Sequence, residues 1–460
     1  MDAIRPAVPT KPAPTKPDSW SRPLANTWRA AKANRKSLAY RALVLFSYVY
    51  FVRPEDFIPG LQYIPIGKIT GGIALFALVF GSQPKDREKL PTELKVLALL
   101  LFHMLLTFVF ASWHGGAFDM VVNRFSKGVI VAFLIYLVVS RIDELRKLLV
   151  IQATTIALIT IASVIVHHTQ DGRLMGIQKG ILENPNDLAI NIVISFPLCL
   201  AFLLAGKGAV NKVFWSFSML VMIYAVIATY SRSGLIALVI TCMICFWEFI
   251  VKAKRTALLV GILVVGVAGI GMVLATPSYM TRVRSIVEGN IAGSKDKGSL
   301  EARKQLLLES LSLTVHHPIF GVGPGGFPAA SGTWQPTHNT YTGLSSEAGL
   351  PAVILFTIVM FMSLRKTKKA QKLPGYLADA DLRLWNSALR AGMAAYIVGA
   401  MFATTEYNLF EYFIVGYICV LYKIASQSAQ PQSPPPVKKH HWLREIKNGS
   451  NTNRELVRTR

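Results

Sequence analysis

Apolar runs long enough to cross a bilayer alternate with short polar connections along most of the chain. A helix needs roughly twenty apolar residues to span the hydrocarbon. On that measure about twelve segments qualify, near 41–54, 69–82, 95–112, 126–140, 148–167, 186–206, 213–230, 232–250, 256–276, 350–364, 386–404 and 408–425. The first two are short, and the seventh and eighth are parted only by Tyr230-Ser231-Arg232-Ser233-Gly234, a tight hairpin at the membrane surface. One connection breaks the rhythm. Between Thr276 and Leu350 the chain turns polar, and a loop this long among short ones is usually functional.

The pattern predicts an all-α polytopic membrane protein of about twelve transmembrane helices with one long, outward-facing, partly helical loop. It divides the chain into a basic, Pro-rich tail over 1–40, helices one to nine over 41–276 and the loop over 277–349. Helices ten to twelve follow over 350–425, then a second basic tail over 426–460. No repeat of 20–50 residues is visible. The first apolar segment begins only near Arg41, so no cleavable signal peptide is expected. The Pro, Lys and Ala of the preceding tail are the composition of disorder.

Basic residues set the orientation. The N-terminal tail, Lys85 to Lys89, Arg141 to Lys147, Lys207 to Lys212, Lys252 to Arg255, Arg365 to Lys372 and the C-terminal tail share one side when twelve helices alternate. That side is cytoplasmic, both termini lie on it, and the long loop faces outward. The outward side nevertheless carries Arg53, Lys68, Arg124, Lys127, Arg173, Arg232, Arg282, Arg284 and Arg303 near span ends. Contact with lipid headgroups is the plain account of some of them. A set this large on the side normally depleted of cations points to an anionic ligand.

Composition agrees: 52% of the 460 residues are hydrophobic and 16% charged, with mean hydropathy +0.42. Those values exclude a soluble globular protein. The formal charge of +24 would suggest nucleic acid in a soluble chain. Here the cations flank apolar segments, so membrane lipid and phosphate-bearing partners are expected and nucleic acid is not. Cys199, Cys242, Cys245 and Cys419 all lie in apolar stretches and read as small core residues.

Within the loop, Gly298 to Val315 reads as an amphipathic helix with Leu300, Leu307, Leu311 and Thr314 on one face and Arg303 on the same stripe. A cation there must snorkel, pair or meet a ligand. The run Gly321-Val322-Gly323-Pro324-Gly325-Gly326 lets backbone approach a ligand closely, or is a plain turn. It is neither a Walker loop nor a dinucleotide fingerprint. Asn339 is the expected N-cap of a short interfacial helix ending near Gly349, before Pro351 opens the tenth span. His338 beside that cap suits general-base work, with loop packing as the alternative. Asn184-Pro185-Asn186-Asp187 opens the sixth span, where Asp187 could hold a basic partner such as Arg232. Asp379-Ala380-Asp381 imitates a metal-binding pair but sits in a cytoplasmic connector. No spacing of His, Cys or carboxylates argues for a bound metal.

Taken together, these pieces resemble the O-antigen ligase and polymerase family. The resemblance rests on Ser231-Arg232-Ser233-Gly234, Arg303, His317-Pro318-Ile319-Phe320-Gly321-Val322-Gly323, His338-Asn339-Thr340-Tyr341 and Glu347-Ala348-Gly349-Leu350. Asn184 to Ala189 fits as well, and Tyr50 to Ile66 looks like the leading region of its O-glycosylation ligase branch. Leu307 departs from the pattern, where many members carry Trp. The resemblance implies a GT-C-like glycosyltransferase of the bacterial inner membrane, acting on the periplasmic side without metal or other cofactor. Such an enzyme moves a whole glycan from undecaprenyl pyrophosphate to a lipid A-core or protein hydroxyl, with inversion. The expected catalytic residues are His338, Arg303 and Arg232. The two arginines, Asn339, Tyr341, Gly321, Gly323, Asn186 and Asp187 are expected to bind substrate. A polymerase of lipid-linked repeat units is one alternative. A flippase or exporter is another, although transporters bind at mid-membrane and often show inverted repeats.

Overall fold

The computed structural model describes residues 38–80, 89–170, 172–178, 182–252 and 295–427, without the side chains of Arg232 and of residues 295–300. The ninth expected span at 256–276, the loop's first part with Arg282 and Arg284, the run Lys85 to Glu88 and most of both tails lie outside the described residues. The chain forms two units, Met1–Arg87 and Glu88–Arg460. In the first, helices α1 (Leu38–Val52) and α2 (Ile66–Phe80) pack together, joined by 3-10 turns at Pro54–Asp56 and Leu61–Tyr63. Each has 15 residues, fewer than the twenty or so of an untilted span. Arg53 closes the first turn by donating from Nε to Asp56 at 2.8 Å, so this cation, expected to face outward, has a carboxylate beside it.

The second unit contains α3 (Thr92–Val109), α4 (His114–Val138), α5 (Ile142–Ile165), α6 (Pro185–Ala205) and α7 (Ala209–Ala228). Helix α8 (Arg232–Phe246) continues as a wider turn over Trp247–Val251. The loop helix α9 (Lys295–His316), α10 (Thr340–Ala370), α11 (Ala380–Gly399) and α12 (Phe410–Gln427) follow. Among the described residues, seven helices are long and apolar enough to cross a membrane: α3 to α8 and α10. Helices α11 and α12 stand where the last two spans were expected. The only described strands are the two-residue pair β1 (Thr169–Gln170) and β2 (Arg173–Leu174), so the all-α polytopic reading stands.

Helix α6 is the axis of the unit. Asn184 caps it, accepting from the Asn186 amide at 2.8 Å, and Pro185 takes the first helical position. It packs against α5, α7, α8 and α11. Within its apolar stretch 83% of residues are buried, against 28% in α7, which leaves α7 to face lipid. Up-and-down threading brings the starts of α6, α8, α10 and α12 to one end, with the ends of α3, α5 and α11. The opposite end is tied by a buried Lys366–Glu93 pair and by Glu248, which receives Lys252 at 2.7 Å and Arg390 at 3.0 Å.

Helix α10 fuses the expected interfacial helix and the tenth span across a break at Gly349 (φ 79°, ψ 174°). Pro351 has no N–H to bond the Glu347 carbonyl, and the Leu350 amide turns away to Pro318 at 2.8 Å. The Ser346 and Glu347 carbonyls are thereby released in a setting where unmet backbone groups are costly. Each finds a donor. The Val322 amide reaches Ser346 and the Gly323 amide reaches Glu347, both at 2.9 Å, while His103 Nε2 of α3 bonds Ala348 at 2.8 Å.

Candidate active site

A cavity of about 490 Å³ opens at the end of the unit where α6, α8 and α10 begin, lined by Gln170, Arg173, Asn184, Pro185, Asn186, Ala302, Arg303, Leu306, Gln335 and His338. Four separate stretches of sequence meet there: the β1–β2 hairpin, the start of α6, one face of α9 and the loop before α10. No carboxylate stands among the described lining residues.

Arg173 reaches the cavity from the hairpin. Its Nε donates to the Thr229 carbonyl at 2.9 Å and its Nη2 to Asn186 Oδ1 at 3.1 Å, so the guanidinium is held by the end of α7 and the cap of α6. Arg303 comes from α9, one turn before Leu306, on the face that packs against α10. The packed stripe of α9 is not the leucine face the periodicity suggests. Leu306, Ser310 and Thr314 are buried, whereas Leu307, Leu308, Leu311 and Val315 are exposed. At a membrane, apolar side chains turn outward, while small polar ones let helices approach and bond. Thr314 and Ser345 hydroxyls, 2.8 Å apart, are such a contact between α9 and α10. Arg303 keeps its place on the packed side. Leu300 has no described side chain.

His338 stands immediately before the α10 cap in a left-handed conformation (φ 54°). Asn339 caps the helix through Oδ1, accepting from Tyr341 N at 2.9 Å and Thr342 N at 3.2 Å. Thr340 fixes the same turn to the end of α11, with N to Ala400 O at 2.9 Å and Oγ1 to Ala403 O at 2.7 Å. Burial first, then the guanidiniums of Arg303 and Arg173, push the His338 pKa below its usual 6.5, so the imidazole is neutral near pH 7.

Other expected site residues serve the protein. The glycine run meets backbone, not open cavity: a Cβ on Gly321 (φ 64°) would lie 2.2 Å from the Glu347 carbonyl carbon. One on Gly323 (φ 101°) would lie 2.4 Å from Ala111 Cβ. The close approach that glycine permits is therefore to α10 and to the end of α3. Glu347 accepts from Gly325 N at 2.8 Å, Phe327 N at 3.3 Å and the Tyr407 hydroxyl at 2.6 Å, so it supports the loop. The Tyr341 hydroxyl donates to Ile397 O of α11 at 2.9 Å, and its ring makes an edge contact with Phe356 of its own helix. Asp187 is half-buried behind Asn186 and is not in the cavity wall.

Arg232 is the first residue of α8, and its side chain lies outside the described part of the structure. Its turn is well defined, because Ser231 Oγ accepts from Gly234 N at 3.1 Å. Sequence reasoning counted Arg173 only among the outward cations and passed over Gln170 and Gln335. The glutamines carry no local signal. Arg173 has one, in its place on the outward side only eleven residues before the Asn184 cap.

No curated protein matches the chain. A family comparison does match, and it covers the stretch from within α7 to the membrane part of α10, taking in Arg232, Arg303 and His338. Residues 217–357 of this membrane protein match the model of the O-antigen ligase family, whose activity is in general that of a ligase or transferase.

Proposed function

We propose that the chain is a glycosyltransferase that moves a glycan from undecaprenyl pyrophosphate to an acceptor hydroxyl, of lipid A-core or of protein, at the cavity lined by Arg173, Arg303 and His338. The observation that carries this reading is the convergence of two guanidiniums and one imidazole on a cavity whose described lining holds no acid. Guanidinium forks match phosphate oxygens two at a time. Arg173, fixed by Thr229 and Asn186, needs little reorganisation to receive one.

In the transfer, the acceptor oxygen attacks the anomeric carbon from the face opposite the pyrophosphate. The bond to the new oxygen forms as the bond to the phosphate oxygen breaks, and the configuration inverts. The hydroxyl proton passes to a ring nitrogen of neutral His338, and the electron pair leaves on the carrier's pyrophosphate. Charge grows on that leaving group, where Arg303, Arg173 and, from its place in the sequence, Arg232 stabilise it. Polymerisation of lipid-linked repeats would be the same step with a glycan hydroxyl as acceptor. The position of the cavity at the helix ends supports a transferase over a mid-membrane exporter. The pattern of basic loops puts the cavity on the periplasmic side and both termini in the cytoplasm.

The test is turnover of purified protein with lipid-linked glycan. Arg303→Lys keeps the charge and loses the fork, and it should lower turnover about 10²-fold. Near-normal turnover at normal expression would reject the pyrophosphate assignment. A cysteine at Thr333 should react with an impermeant thiol reagent in intact spheroplasts and one at Lys368 should not; the reverse pattern would overturn the orientation.

A further inference from the structure

The rim of the cavity is built differently from its cationic wall. Gln170 on β1 and Gln335 in the loop before α10 both line it, and both are exposed. Next to Gln335 stands Trp334, 78% exposed, the most exposed described tryptophan. Its backbone is left-handed (φ 58°), a conformation that bulky residues rarely adopt and that persists only where the surroundings impose it. Here they do. The Trp334 amide donates to Pro328 O at 3.0 Å, and the Ser331 and Thr333 hydroxyls, 2.8 Å apart, brace the preceding turn. Left-handed non-glycine residues recur around this cavity, at Tyr230 beside the α7–α8 turn and at His338 itself. The result of the strain at Trp334 is a large ring held exposed directly beside Gln335, a residue of the cavity lining. Burying that ring would lower the free energy, and nothing described in the chain covers it.

We propose that Trp334 and Gln335, with Gln170 of the hairpin, form the subsite for the sugar joined to the pyrophosphate. This rests on the donor assigned above and adds to it what holds the glycan. A pyranose presents C–H groups on its faces and hydroxyls around its edge. The indole offers a flat apolar surface for one face. Each glutamine amide carries both a donor and an acceptor, which matches a pair of neighbouring hydroxyls, each of which can give and take a hydrogen bond. Arg173, Arg303 and His338 would then hold the phosphate side and the reacting carbon, and the rim would decide which glycan is accepted. The competing account of an exposed Trp at a membrane edge is an anchor among lipid headgroups. An anchor would not distinguish a glycan-bearing carrier from a bare one.

The experiment uses the full chain in nanodiscs and two probes, undecaprenyl diphosphate alone and undecaprenyl diphosphate bearing an oligosaccharide. Trp334→Ala should bind the glycan-bearing carrier about tenfold more weakly and the bare carrier unchanged, while Trp334→Phe, which keeps a ring, should stay within about threefold of the wild type. Gln335→Ala should fall in the same direction by a smaller factor. Equal weakening toward both probes, or no weakening toward either, overturns the subsite and leaves the donor reading intact. Failure of the wild-type protein to bind the bare carrier overturns the donor reading, and the subsite with it.

Discussion

Both ends of the second unit carry charge, and they use it in opposite ways. At the end where α3 begins, the charges close on one another. Lys366 meets Glu93 in the interior, Glu248 takes Lys252 and Arg390, and Lys423 is spent on the Tyr136 and Val139 carbonyls at 2.6 and 2.7 Å. At the cavity end, Arg173, Arg303 and His338 share a wall with amides and, among the described lining residues, no acid. Cations matched by carboxylates inside the protein fasten helices. Cations brought together at a cavity wall are placed to meet an anion from outside. The contrast separates scaffold from candidate site without reference to any motif.

The sharpest way to break the comparison is at the cavity. His338→Ala should lower turnover about 10²–10⁴-fold, the usual worth of a positioned proton acceptor, with melting unchanged. Retention of more than about a tenth of the activity would remove His338 from the role of base. At the other end the expectation is reversed. Lys366→Met leaves Glu93 buried without its partner and should cost about 3–5 kcal/mol of stability, read as a lower melting temperature, with turnover per folded molecule unchanged. Adding Glu93→Gln should recover much of that loss, since the unpaired charge is its source.

A smaller effect tests the seam between the two ends. Gly321→Ala drives a methyl into the Glu347 carbonyl and should destabilise by about 1–3 kcal/mol in a thermal melt. Unchanged melting with lost donor binding would instead return Gly321 to the substrate. The smallest expected effect is on pH dependence. The base must be neutral, so activity falls as pH drops through the His338 pKa. In the free enzyme that pKa lies below 6.5, so kcat/KM should keep its value down to a pH below 6.5. A bound pyrophosphate favours the imidazolium and raises the pKa, so the acidic limb of kcat should lie at higher pH than that of kcat/KM. Coincident limbs would argue that His338 and the phosphates are apart.

Local chemistry was the legible part of this chain. Asn184, Ser231 and Asn339 were readable as caps or turn formers because a cap acts within three residues of itself. The break before Pro351 was readable for the same reason. What the lipid decides was less so, since a leucine stripe on α9 marks a core face only when water is the alternative. The glycines at 321 and 323 announced a close approach without saying to what, and the partner proved to be α10 and the end of α3. Arg173, Gln170 and Gln335 became visible as a group only when the fold drew distant stretches to one cavity. The predicted spans shifted at their ends: α1 and α2 are as short as their apolar runs but begin three residues earlier, and an expected loop helix joined the tenth span.

The break in α10 has a consequence for how the protein opens and closes in time. The amides of Val322 and Gly323 belong to the loop by sequence, yet each is bonded to a carbonyl of the helix that runs on into the membrane. Neither can exchange its hydrogen for deuterium unless that junction comes apart, and the junction also includes His103 of α3. In exchange kinetics these two amides should therefore be slow like those of the span, while the turn around Trp334, eleven residues beyond Gly323 and held only by local bonds such as Trp334 N to Pro328 O, should exchange faster. The loop that bears the candidate site is thus cooperative with the bilayer-crossing helix at its root and independent of it at its tip.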